Sequence, residues 1–114
     1  MKVKKINKFL NIFLSKYVTA ITLCPFGIYT RTDKPKPTTI NHEKIHWKQQ
    51  VEMLVIFFYL WYVIEYLIRL LGNGNAYLNI CFEREAYANE NDMEYLKKRK
   101  PYAWVKYLNK KYKV

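Results

Sequence analysis

Residues 38 to 71 contain neither glycine nor proline, while Pro25, Gly27, Pro35 and Pro37 crowd the approach and Gly72 and Gly74 close the stretch. An interval this long, with helix-compatible side chains and no breaker, predicts one helix of about thirty residues. Asn41 is its expected N-cap, since its side chain can accept a hydrogen bond from a first-turn N–H. Such a helix dominates a chain of 114 residues, which has room for one core and is read as a single domain, 1–114.

The flanks are patterned differently. Ile6, Phe9, Leu10, Phe13 and Tyr17 recur at helical spacing opposite Lys5, Lys8, Asn11 and Lys16, which predicts a basic amphipathic helix over residues 4–18. The stretch "VTAITLCPFGIYT", residues 18–30, is β-branched and aromatic but broken by Pro25 and Gly27, so it reads as an edge strand or a bent hairpin. Beyond "LGNGN" a further helix is expected from about Ala76 to Lys97, and Pro101 suits the first turn of a short C-terminal helix. The expected fold class is therefore α+β, mainly α. Cys24 and Cys81 match no metal-ligand spacing and are read as free thiols. The basic N-terminus is interrupted by Asn11, Ser15 and Lys16 and does not make a convincing cleaved signal, so a cytoplasmic or membrane-associated location is expected.

The long helix has two unlike halves. Its second half, "MLVIFFYLWYVIEYLIRLL", nearly reaches the length of a bilayer span of about 20 residues. Glu65 and Arg69 lie four apart and can pair on one face. Partial contact with a membrane suits this segment, and a full span stays open. Charge points the same way: residues 97 to 114 hold eight Lys and Arg and no acidic residue, whereas residues 38 to 96 hold eight carboxylates against four basic side chains. Basic ends attract polyanions, anionic lipid as well as nucleic acid, and the acidic middle favours a cation.

The first half carries both histidines of the chain, in "NHEKIHWKQQ". His42 and His46 are one helical turn apart, so both imidazoles can reach one ion. Glu43 is rotated out of that pair and can contact a water on the ion without taking a coordination position. This is the geometry of a water-activating zinc centre, in which the ion lowers the pKa of water and the glutamate takes the proton. Catalytic zinc keeps three protein ligands. No histidine is left, so the third should be a carboxylate.

"HEKIHWKQQ" followed by "FEREAY" resembles the zinc metallopeptidases of the gluzincin type, which combine His-Glu-x-x-His on one helix with a ligand glutamate on a later one. Gln49 and Gln50 resemble a widespread bacterial peptidase-like domain that also has a Glu-x-Glu-Ala segment. The apolar helix directly after the motif is similar to membrane-embedded CAAX-processing proteases. The resemblance covers roughly residues 38 to 90 and implies a minimal zincin-like domain, with Zn2+ held by His42, His46 and Glu83 and with Glu43 as general base. It puts Ala86 at the small position, and Tyr87 where those families have aspartate.

Straight antiparallel helices would leave Glu83 about 25 Å short of His46 at 1.5 Å rise per residue. Either the chain turns between about Gln50 and Tyr62, or the ligand is Glu90 or Glu94, or Glu83 comes from a second subunit. The plain alternative makes "EREAYANENDME" a solvated acidic face. Tyr87, Tyr95 and Tyr102 are the candidate oxyanion donors, unranked by sequence; Tyr59, Trp61, Tyr62, Tyr66 and Trp104 are read as packing. The expected function is zinc-dependent hydrolysis of a peptide or protein substrate, bound in extended form beside the strand near residues 21–31. The alternative is a non-catalytic basic membrane-surface or interaction protein with a structural or degenerate zinc motif. A nucleic-acid binder ranks last, for it rests on charge alone.

Overall fold

The structure, a computed structural model, describes residues 3–6 and 19–114. It is mixed α+β and mainly helical, with a three-stranded sheet in the order β1-β3-β2: β1 is Val3–Lys5, β2 Ala20–Leu23 and β3 Gly27–Thr30. β2 and β3 form an antiparallel hairpin, Ala20 facing Thr30 and Leu23 facing Gly27. The bent-hairpin expectation holds, with the bend at Cys24–Pro25 and a Phe26 N–H to Leu23 carbonyl bond of 2.6 Å closing it. Gly27 sits at φ 140°, a value that side chains other than glycine rarely adopt.

β1 corrects the start of the predicted N-terminal amphipathic helix. Lys4 and Lys5 pair in parallel with Tyr29 and Thr30, because β3 offers a free row of backbone groups that an extended segment satisfies. The rest of that prediction, residues 7–18, lies outside the described residues.

The long helix is two. α1 spans Pro37–Glu52 and α2 spans Ile56–Leu70, with axes 111° apart. α1 begins four residues before Asn41, because Pro37 suits the first helical position, where its missing N–H costs nothing. Asn41 is thus not the cap; it lies inside the helix, and its amide donates to the carbonyls of Glu90 (2.8 Å) and Asp92 (3.0 Å). The break falls at Met53–Val55, where Leu54 (φ 53°) and Val55 (φ 59°) enter the left-handed region. For such side chains this costs on the order of 1–3 kcal/mol each. Hydrogen bonds from Leu54 N–H to Val51 (3.2 Å) and from Val55 N–H to Gln50 (2.7 Å) hold the corner.

The helix expected over 76–97 is also divided. α3 spans Cys81–Asn89 and α4 only Tyr95–Lys98, and the C-terminal helix is instead a pair of 3-10 segments, Ala103–Leu108 and Lys110–Tyr112. Asn and Asp dominate "NEND", and their side chains compete for backbone hydrogen bonds; Asp92 Oδ1 accepts from the Glu94 N–H at 3.0 Å. The 3-10 segments fold back over α3 because the Arg84 guanidinium donates to the Tyr107 carbonyl at 2.7 Å. Asn79 ties the Val114 backbone through both amide atoms (2.8 and 3.1 Å).

α3 is the centre of the domain. Its Phe82 stacks on Phe58 (centroids 4.5 Å) and meets Trp104 edge-on (5.1 Å), in a core with Ile80, Cys81 and Tyr107. On its other side Ala86 packs with Ile45 of α1 and with Tyr95. Glu65, inside α2 and paired with Arg69 at 2.9 Å as its spacing predicts, accepts the Cys81 N–H at 3.0 Å and so secures the start of α3. The corner between α1 and α2 is what lets α3 lie across α1, and that crossing assembles the polar cluster below.

Candidate metal centre

His42 and His46 project from one face of α1 towards α3, their Nε2 atoms 3.1 Å apart. Glu83, in the first turn of α3, places Oε1 3.1 Å from His42 Nε2 and 3.0 Å from His46 Nε2. All three side chains are buried. The 25 Å obstacle is removed by the turn at 53–55, and no second subunit is needed. Glu83 is thus the carboxylate brought to the histidine pair. Glu90 reaches the far side of His42, and Glu94 is exposed and paired with Lys97 at 2.8 Å.

The hydrogen-bond partners decide which ring nitrogens face inward. His42 Nδ1 lies 2.9 Å from the Glu90 carboxylate, an acceptor, so Nδ1 carries the proton. His46 Nδ1 lies 2.7 Å from Gln49 Oε1. That amide is oriented in turn: its Nε2 donates to the Phe82 carbonyl (3.0 Å) and to Glu85 Oε1 (2.9 Å), leaving its oxygen as acceptor. Both Nε2 atoms therefore face each other and a carboxylate oxygen. Two ring nitrogens and one carboxylate oxygen thus converge on one point, a set that a proton or a metal cation can bridge.

The spacing is close to that of a small metal ion, of which zinc is one example. Bonds of about 2.0–2.1 Å in a tetrahedral site put ligand atoms roughly 3.3–3.4 Å apart, a few tenths of an ångström wider than the distances here. The remaining lone pairs are engaged as in metal sites with a supporting outer layer: Tyr62 donates to Glu83 Oε2 at 2.7 Å, and Gln49 and Glu90 fix the two imidazoles. Electrostatics agree. Burial works against a charged His46, but the Glu83 charge and hydrogen bond outweigh it and push the imidazole pKa up; burial likewise opposes an ionised Glu83, and His46 and His42 overcome it and hold its carboxyl well below the usual range. The cluster is built to hold positive charge.

Glu43 is buried beside this group, and its charge acts on His46. The Thr22 hydroxyl of β2 lies 2.8 Å from Glu43 Oε1 and 2.9 Å from the Glu43 carbonyl, fixing the carboxylate against the sheet. The same strand bears on the expected mode of substrate binding. Gln50 donates to the Thr22 carbonyl (3.0 Å) and accepts from the Cys24 N–H (2.9 Å), and Tyr59 OH adds a bond to Thr22 (3.0 Å). One side-chain amide thereby occupies the backbone groups that an extended peptide would pair with at Thr22 and Cys24.

Of the three tyrosines considered, Tyr87 alone lies against the cluster, its ring 4.5 Å from that of His42 and its hydroxyl 3.1 Å from that of Tyr77. Tyr95 donates to Glu85 at 2.6 Å, and Tyr102 is exposed. Sequence reasoning missed Tyr62 and Tyr77 as site residues. It also undervalued Gln49, which sits three after His46 and so on its helix face, a spacing that could have flagged it. The reading of "EREAYANENDME" as a solvated acidic face fails at its first residues. Glu83, Arg84 and Glu85 are buried, and Arg99 pairs with both Glu85 and Glu52. No family model, no curated protein and no solved structure matches the chain.

Proposed function

We propose that this chain is a zinc-dependent metallopeptidase of the gluzincin kind, with His42, His46 and Glu83 as ligands and Glu43 as general base and acid. The observation that carries the reading is the convergence of two imidazole Nε2 atoms and one carboxylate oxygen within 3.0–3.1 Å of one another, each aimed by a second hydrogen bond. Zinc bound there would lower the pKa of a water and polarise a peptide carbonyl. Glu43, fixed by Thr22, takes the proton of the attacking water and returns it to the leaving amine. Gln49, Glu90 and Tyr62 hold the ligands in register. The Tyr87 hydroxyl, paired with that of Tyr77 beside the His42 ring, is a candidate to donate to a developing oxyanion.

The near-complete burial of His42, His46, Glu83 and Glu43 supports a second reading, a structural ion in a non-catalytic protein. Metal analysis of the purified full chain and a peptide-cleavage assay separate the two. About one zinc per chain, lost on His42→Ala, His46→Ala or Glu83→Ala, is expected under both. Cleavage abolished by Glu43→Gln with zinc retained is expected only of the peptidase. A folded protein that takes up no zinc overturns both readings.

A further inference from the structure

α2 has its polarity reversed. Its charged residues, Glu65 and Arg69, lie on the face turned towards the domain with Phe58 and Tyr62, where Glu65 also accepts from Trp61 Nε1 (3.0 Å) and from the Cys81 N–H. The opposite face, at i, i+4, i+7 and i+11 from Ile56, holds Ile56, Leu60, Val63 and Leu67, with Ile64 beside them. These five are between 50 % and 75 % exposed. No polar side chain interrupts that arc, and Tyr59, Trp61 and Tyr66 lie along its borders, 37–38 % exposed. A contiguous aliphatic face of this extent marks an interaction surface.

We infer that α2 lies in the surface of an anionic lipid bilayer, with this arc among the acyl chains. Three observations select lipid over another occupant. First, protein interfaces carry about one hydrogen bond per 100–200 Å², and this arc presents carbon alone, whereas aromatic side chains bordering an apolar stripe match a membrane–water boundary. Second, the charge is complementary. Trp61 packs on Trp104 (centroids 5.3 Å), which sets the 3-10 segment Ala103–Leu108 beside α2; Lys100, Lys106, Lys110, Lys111 and Lys113 of this C-terminal stretch are exposed, while Arg99 is held in ion pairs with Glu52 and Glu85. Two copies of a chain with net charge +11 repel each other, while an anionic surface attracts each. Third, an apolar groove of about 320 Å³, lined by Met53, Leu54, Phe57, Leu60, Trp61 and Ile64 with Glu52, lies at the corner where α2 begins, a concave shape that an acyl chain fills.

The helix rests on the membrane rather than crossing it. Its 15 residues span about 22 Å, short of the roughly 30 Å hydrocarbon layer. Among the described residues no single helix is long and apolar enough to cross, and the bent pair of α1 and α2 meets that test only together. α1 buries six polar side chains within the protein and offers lipid no apolar counterpart to the α2 arc. This inference stands apart from the metal reading; where both hold, the substrate is a membrane-proximal polypeptide.

The test is flotation of the full-length chain with vesicles of phosphatidylcholine alone or mixed with phosphatidylglycerol, alongside sedimentation without vesicles. Expected are binding to the anionic vesicles, weakened by salt, and quenching of tryptophan fluorescence by brominated acyl chains as Trp61 enters the interface. Leu60→Glu and Leu67→Glu each lower the partition coefficient by roughly tenfold or more. Their circular dichroism and melting temperature stay at wild-type values, because both side chains face outward, and zinc content is unchanged. Absence of flotation with the anionic vesicles overturns the inference. So does flotation indifferent to both substitutions. A stable dimer that these substitutions dissociate, with no vesicle binding, overturns it in favour of a second copy as the occupant.

Discussion

α1 and α2 adjoin in sequence, and each is inverted with respect to an ordinary amphipathic helix in its own way. α1 buries Asn41, His42, Glu43, His46, Gln49 and Gln50, with Ile45 as its one buried aliphatic, while α2 buries only Phe58 and Glu65 and turns its aliphatic side chains outward. Burying a polar group costs about 1–3 kcal/mol unless it is hydrogen-bonded. α1 meets that demand almost group by group: Asn41 on the end of α3, Gln49 between His46, Phe82 and Glu85, Gln50 on the edge of β2, Glu43 on Thr22. α2 has no such network on its outer arc. The difference teaches that α1 is organised for a site and α2 for a surface.

The largest expected effects test how far that contrast extends into the core. Glu85→Ala should destabilise the fold by about 3–5 kcal/mol in chemical denaturation, because Arg99, Tyr95 and Gln49 all donate to that buried carboxylate and Arg99 keeps only Glu52. On the inner face of α2, Phe58→Ala should cost a comparable 3–5 kcal/mol or so, since Phe58 stacks on Phe82. If Leu67→Ala on the outer face of the same helix cost as much, the reversal of polarity in α2 would be wrong.

A smaller effect probes the support of the site. Tyr62→Phe removes the hydroxyl that donates to Glu83 Oε2 and leaves the ring in the core, so zinc affinity in a competition titration should fall by about 10- to 100-fold with little change in stability. At the corner, Val55→Gly should stabilise by about 1 kcal/mol, because glycine adopts φ 59° without strain. A loss there would mean that the corner is not strained. The smallest effect belongs to the surface: Leu67→Ala should change melting by no more than about 0.5 kcal/mol in the absence of vesicles.

Much of the site was legible in the sequence, and for local reasons. The spacing of His42, Glu43 and His46 fixes their relative directions on any α-helix. Val18–Thr30 had to turn at Pro25 and Gly27. The pairing of Glu65 with Arg69 likewise follows from one helical turn of separation. Glu83 was singled out by its resemblance to gluzincin segments, and its position in space was the open question. Tyr62 and Glu85 left no trace, because a tyrosine in an apolar run and a glutamate in an acidic run look like packing and solvated charge.

The sequence by itself determined the two imidazoles on one face, the glutamate beside them, the break at Pro25 and Gly27 and the division of the chain into an acidic middle and basic ends, all properties of neighbours along the backbone. The tertiary structure alone decided the corner at Met53–Val55, where no glycine or proline announces a break. Positive φ is disfavoured locally for Leu54 and Val55, and this corner persists because bending there lets Phe82 reach Phe58 and Glu83 reach His42 and His46. A strain of a few kcal/mol is outweighed by contacts between segments some 25 to 40 residues apart, and no window of local sequence contains both sides of that balance.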